Sequence, residues 1–114
     1  MAKILIVDDN QDDLETTKAV LEKEGHDIMT ENDGAAAIDV LKSFEPELIM
    51  IDIQMPTLSG YDLLRLIRER LKQDVKMVYV SIVPESDVDM TDVDGFIQKP
   101  FSPDSLLTKV REVL

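Results

Sequence analysis

Four apolar runs in this chain stop on side chains that can do chemistry. The run Glu47-Leu48-Ile49-Met50-Ile51 ends on Asp52, followed by Ile53-Gln54-Met55-Pro56. Lys3-Ile4-Leu5-Ile6-Val7 ends on Asp8-Asp9, Lys76-Met77-Val78-Tyr79-Val80 on Ser81, and Gly95-Phe96-Ile97-Gln98 on Lys99. A carboxylate at the end of an oily run is costly to desolvate unless something pairs with it. Gathered in one place, Asp8, Asp9 and Asp52 would repel one another and stay ionised only with a cation among them. An oxygen-only donor set of that kind suits a hard ion, Mg2+ first, which keeps several waters and takes phosphate as a co-ligand. Lys99 and Ser81 opposite would suit the oxygens of a phosphoryl group, whose transfer depends on positioning and charge neutralisation. Asp52 is then the nucleophile for an acyl phosphate.

The elements that would gather these groups follow from periodicity. The four runs read as strands, and Leu48–Ile51, apolar at consecutive positions, reads as one buried on both faces. Between them, Gln11–Glu24 sets Leu14, Thr17, Val20 and Leu21 on one side at helical spacing, with Gly25 as its stop. His26–Thr30 is a weaker strand. Asn32-Asp33-Gly34 turns the chain into a helix over Ala35–Phe44. Tyr61–Lys72 is a helix with Leu63, Leu64, Ile67 and Leu71 inward, and Ser102-Pro103 opens a last one to Leu114. Five strands alternating with helices call for a right-handed parallel α/β sheet. Sites in such sheets form at the carboxyl ends of the strands, and that is where Asp8, Asp9, Asp52, Ser81 and Lys99 fall.

The 114 residues form one domain, 1–114, with 44% apolar residues for a core. Twelve basic against twenty-four acidic residues, a net charge of −12, argue against gripping nucleic acid or an anionic membrane. There is no membrane-length apolar run and no signal-peptide pattern. The absence of cysteine excludes disulfides and thiolate metal sites and fits a cytoplasmic location.

Asp8-Asp9, then Ile51-Asp52-Ile53-Gln54-Met55-Pro56 with Gly60, then Ser81, then Lys99-Pro100-Phe101 resemble the motif set of the response-regulator receiver domain of two-component signalling. The resemblance runs from Lys3 to Leu114. Each short motif is weak alone, but the ordered set at strand ends is highly specific. It implies a flavodoxin-like sheet of order 2-1-3-4-5 with helices on both faces. It implies phosphorylation of Asp52 by a histidine kinase or phosphotransfer protein, and Mg2+ held by Asp9, Asp52 and the backbone carbonyl of Gln54, with Asp8 assisting. Ser81 and Lys99 would bind the phosphoryl oxygens, the Lys99–Pro100 bond would be cis, and Ser81 and Phe96 would form the switch that remodels a partner-binding surface. Such a module is not an enzyme beyond its own phosphorylation and dephosphorylation, passes its signal to a downstream protein target, and is a monomer or a weak phosphorylation-dependent dimer.

Two features depart from the family pattern. Ile82 follows Ser81 where the family has a small residue, and a branched side chain there would narrow access to Asp52. The crossover Val83–Asp94 is shorter than usual by about one helical turn. Its apolar Val88, Met90 and Val93 are not at helical spacing, and four aspartates are poor helix formers, so the fourth helix is expected to be very short or missing.

Plainer roles exist for each residue. Asp8, Asp9 and Asn10 suit a helix N-cap, Ser81 a strand-end backbone group, and Phe96 the core. His26 is expected to be exposed, and the basic cluster Arg65, Arg68, Arg70, Lys72 and Lys76 to be a solvated face. Two other functions compete. A haloacid-dehalogenase-like phosphatase would use Asp52 but would need a second aspartate where Gln54 stands. A phosphorylation-independent binding module would not need the acids and the lysine intact.

Overall fold

The structure is a computed structural model and describes residues 1–71 and 74–114. Five strands form one parallel sheet: β1 (Lys3–Val7), β2 (Asp27–Glu31), β3 (Leu48–Ile51), β4 (Lys76–Ser81) and β5 (Gly95–Gln98), in the order β2-β1-β3-β4-β5. The helices are α1 (Gln11–Lys23), α2 (Gly34–Val40), α3 (Gly60–Glu69) and α4 (Pro103–Val113).

Strand alternation divides the core in two. Leu5, Val7, Ile49 and Ile51 face Ala37 of α2 and Leu63, Leu64 and Ile67 of α3. Ile4, Ile6, Leu48 and Met50 face Leu14 and Leu21 of α1 and Leu106 and Val110 of α4. All four residues of β3 are fully buried, each contributing roughly 1.5–3 kcal/mol of gross hydrophobic stabilisation. The strand that presents Asp52 is therefore the central one of the sheet and is buried along its whole length.

The helices begin where side chains can satisfy their free N–H groups. Asn10, Asp33, Ser59 and Ser102 each accept a bond from the first turn of α1, α2, α3 and α4 respectively. Past α1, Gly25 takes φ +88° and donates its N–H to the Glu22 carbonyl, a left-handed stop that favours glycine. Helix α2 is shorter than its pattern suggests. It ends at Val40, and Lys42 and Ser43 close tighter turns onto Asp39 and Val40 ahead of Pro46. The expected C-terminal residue of α3, Lys72, lies outside the described residues. Strand β2 is shifted one residue later than expected because His26 is occupied elsewhere. Its half-buried ring accepts a hydrogen bond from the Ala2 N–H at 3.0 Å, so it is not the exposed residue expected.

Among the described residues, the crossover from β4 to β5 contains no α-helix, only a 3-10 turn over Glu85–Asp87. Val88, Met90 and Val93 still pack on the core, but Arg68 of α3 holds the segment instead of helical bonding. Its guanidinium donates to the Asp92 carbonyl at 3.0 and 3.2 Å and to the Val75 carbonyl, and it pairs with Asp94 at 3.2 Å. Asp94 in turn accepts the Met77 N–H at 2.9 Å. Arg68 is thus not part of a solvated basic face.

Candidate functional site

Strand ends deliver the site. Asp52, at the end of β3, is 7% exposed, and its N–H donates to the Val7 carbonyl at 2.9 Å. Its Oδ1 accepts the Gln54 N–H at 3.4 Å. Asp8, at the end of β1, is 4% exposed and accepts the Asn10 N–H at 2.9 Å. Asp9 is exposed beside it. One oxygen from each of Asp8, Asp9 and Asp52 lies within 4.8 Å of the others. Because Asn10 caps α1, accepting the Asp13 N–H at 3.0 Å, capping does not account for Asp8 or Asp9.

Lys99 follows β5 and donates its own N–H to the Ser81 carbonyl at 2.9 Å; the Lys99–Pro100 peptide bond is cis. Its Nζ lies 2.6 Å from Asp8, 2.9 Å from Asp13 and 3.9 Å from Asp52. A pocket of roughly 200 Å³ opens over this centre, lined by Asp9, Asn10, Asp13, Asp52, Gln54, Ile82 and Lys99. Ile82 is 65% exposed at its mouth. The segment after Asp52 is tied down at Gly60, whose N–H donates to the Ile53 carbonyl at 2.9 Å. A Cβ on Gly60 would fall 2.8 Å from Ile53 Cα and closer still to the Asp52 carbonyl oxygen, so the approach requires glycine.

Ser81 and Phe96 stand apart from the pocket lining. Ser81 is fully buried and its Oγ accepts the Val83 N–H at 3.2 Å. Phe96 is buried in the core, in register with Tyr79, whose ring meets that of Tyr61 edge-on at 5.4 Å. Asp13 is the member that sequence reading does not single out. The only signal was an acid in the first turn of α1, where acids are common for capping and dipole reasons.

Crowding sets the electrostatics. Burial, then the neighbouring Asp8 carboxylate, push the Asp52 pKa up to about 7 against the pull of Lys99. Burial works against the charge on Lys99, but its hydrogen bonds to Asp8 and Asp13 prevail and hold its pKa above the ordinary value. A buried carboxylate with two acidic neighbours and one ammonium is a site short of positive charge. An all-oxygen trio this close fits a hard divalent ion such as Mg2+.

An acidic trio, buried at Asp8 and Asp52 and exposed at Asp9, and a lysine, brought together by the ends of β1, β3 and β5 in a 2-1-3-4-5 sheet, define a receiver module. The family model for the response regulator receiver domain matches residues 4–111, and the chain belongs to that family, whose members are generally non-enzymatic signalling modules. The response regulator SaeR of Staphylococcus aureus is 31% identical over 118 residues, covering 100% of this chain and 51% of SaeR. The chain thus spans about half the length of the curated relatives it matches. Among solved structures, the response regulator TrrA of Thermotoga maritima, in complex with Mg(2+)-BeF, superposes with a TM-score of 0.89 at 33% identity, covering 100% of both chains. The chemotaxis protein CheY4 of Vibrio cholerae does so at 0.92 and 25% identity, covering 100% of this chain and 99% of CheY4. No helix among the described residues is long and apolar enough to cross a membrane.

Proposed function

We propose that residues 1–114 act as one receiver unit in which Asp52 accepts a phosphoryl group from a histidine kinase or phosphotransfer protein. The observation that carries this is the position of Asp52: a buried carboxylate at the end of the central strand, beside Asp8 and Asp9 and 3.9 Å from the Lys99 ammonium. A carboxylate oxygen of Asp52 forms the new bond to phosphorus. The bond from phosphorus to the donor nitrogen breaks, and the donor imidazole leaves with the electron pair. Asp9, Asp52 and the Gln54 carbonyl would hold Mg2+, with Asp8 assisting. When bound, the ion offsets the charge that gathers on the phosphoryl oxygens. Lys99 orients one of those oxygens, and Ser81 releases the Val83 N–H to bind another. Phe96 and the β4–β5 surface then carry the change to a downstream protein target, a two-state bias of the kind a phosphoryl group imposes. The chain's covalent chemistry is confined to Asp52, so it acts as a switch and turns over no separate substrate. The unit acts in the cytoplasm, as a monomer or a weak phosphorylation-dependent dimer. That TrrA is in complex with Mg(2+)-BeF supports the metal.

Incubation with Mg2+ and acetyl phosphate followed by intact mass tests this. One added phosphoryl group on the wild type and none on Asp52→Asn is the expected result. Labelling of Asp52→Asn at the wild-type rate would move the acceptor elsewhere.

A further inference from the structure

We propose that Asp13 is a positioning residue that draws Lys99 away from Asp52 and so restrains phosphorylation; this rests on the reading of Asp52 as the acceptor. Three carboxylates compete for one ammonium. Asp8 alone would anchor Lys99, through a 2.6 Å contact deep in the site. Asp13 adds a second anchor at 2.9 Å from the other side, on the pocket rim, with its side chain 41% exposed. Asp52, the group that needs the lysine once it carries a phosphoryl group, holds the longest of the three contacts at 3.9 Å. The backbone of Asp13 is held in the first turn of α1 by the Asn10 cap, whose Oδ1 accepts its N–H at 3.0 Å.

The charge count points the same way. Asp8, Asp9 and Asp52 against Lys99 and one divalent ion balance to zero. Asp13 leaves the loaded site at minus one, and conversion of Asp52 to a doubly charged acyl phosphate takes it to minus two. An incoming phosphoryl donor, itself anionic, therefore meets one more negative charge than the chemistry requires, and Lys99 must leave or share Asp13 to reach the new oxygens. Removing that charge frees the lysine and lightens the site in one step.

The test compares wild type with Asp13→Asn, Asp13→Ala and Asp13→Glu at saturating Mg2+. Two quantities are read: the maximal rate of labelling at saturating acetyl phosphate, and the equilibrium affinity for beryllofluoride by calorimetry. Asp13→Asn and Asp13→Ala are expected to raise both by about three- to tenfold, the scale of one nearby charge in a partly solvated pocket. Asp13→Glu, which keeps the charge, is expected to stay near wild type. A merely structural role would lower both quantities in the neutral variants. Wild type labelled normally with neutral variants equal or slower overturns the role of Asp13 alone. No label on wild type or on any Asp13 variant overturns the acceptor reading, and this inference with it.

Discussion

Substituting Asp52 by asparagine should stabilise the metal-free protein at alkaline pH, although it removes the residue on which function rests. Asp52 is 7% exposed, faces Asp8, and has only a 3.9 Å contact to Lys99, so folding places its charge in an unfavourable site. Its pKa rises from 3.8 to about 7 on folding, worth about 4 kcal/mol at about 1.4 kcal/mol per pH unit. Solvent at the pocket mouth screens part of this, which leaves an expected gain of about 2–3 kcal/mol for Asp52→Asn above pH 8. The sign follows from proton binding. Between pH 3.8 and about 7 the folded chain holds a proton at Asp52 that the unfolded chain has lost. Stability from this group therefore falls as pH rises through that window and is level above it. Urea unfolding followed by far-UV circular dichroism, with chelator present, reads the effect. The variant should be the more stable at pH 8.5, and the gap should shrink by about half at pH 5.5. Adding Mg2+ should stabilise the wild type and narrow the gap at pH 8.5, since an ion that binds only the folded state adds to its stability. A variant no more stable than wild type at pH 8.5, or a gap indifferent to pH, would refute the claim that Asp52 is held charged against its surroundings.

Two further outcomes follow from the packing around the site. Gly60→Ala forces a methyl group to 2.8 Å from Ile53 Cα; it should destabilise the fold by about 1–3 kcal/mol and slow labelling of Asp52, and an unchanged urea midpoint would contradict the close approach. Arg68→Ala removes the clamp on Asp92 and Asp94 and should cost about 2–3 kcal/mol. Hydrogen exchange should quicken at the paired Met77 and Asp94 amides while those of β1 and β3 stay protected. Arg68→Lys should not restore protection, because one ammonium cannot span the same acceptors; full rescue by lysine would argue for simple charge pairing.

Much of this protein is legible in its sequence because the deciding features are local. Consecutive apolar residues at Leu48–Ile51 identify a central strand, and the step from Ile51 to Asp52 marks where it meets the site. Asn10 and Ser102 mark helix starts by the chemistry of their own side chains. The lack of an α-helix in the β4–β5 crossover also showed locally, since Val88, Met90 and Val93 cannot form one helical stripe. The tertiary structure alone decided three further pairings. Asp13 pairs with Lys99 across 86 positions, and Arg68 with Asp92 across 24. His26 caps the Ala2 N–H across another 24. In each case nothing in the neighbouring residues distinguishes the group from a solvated one. A charge in a helical first turn or on a helix face reads the same whether it meets water or a buried partner. Its partner is chosen by the sheet order and by which strand ends lie side by side, and those follow from packing two apolar faces between helices.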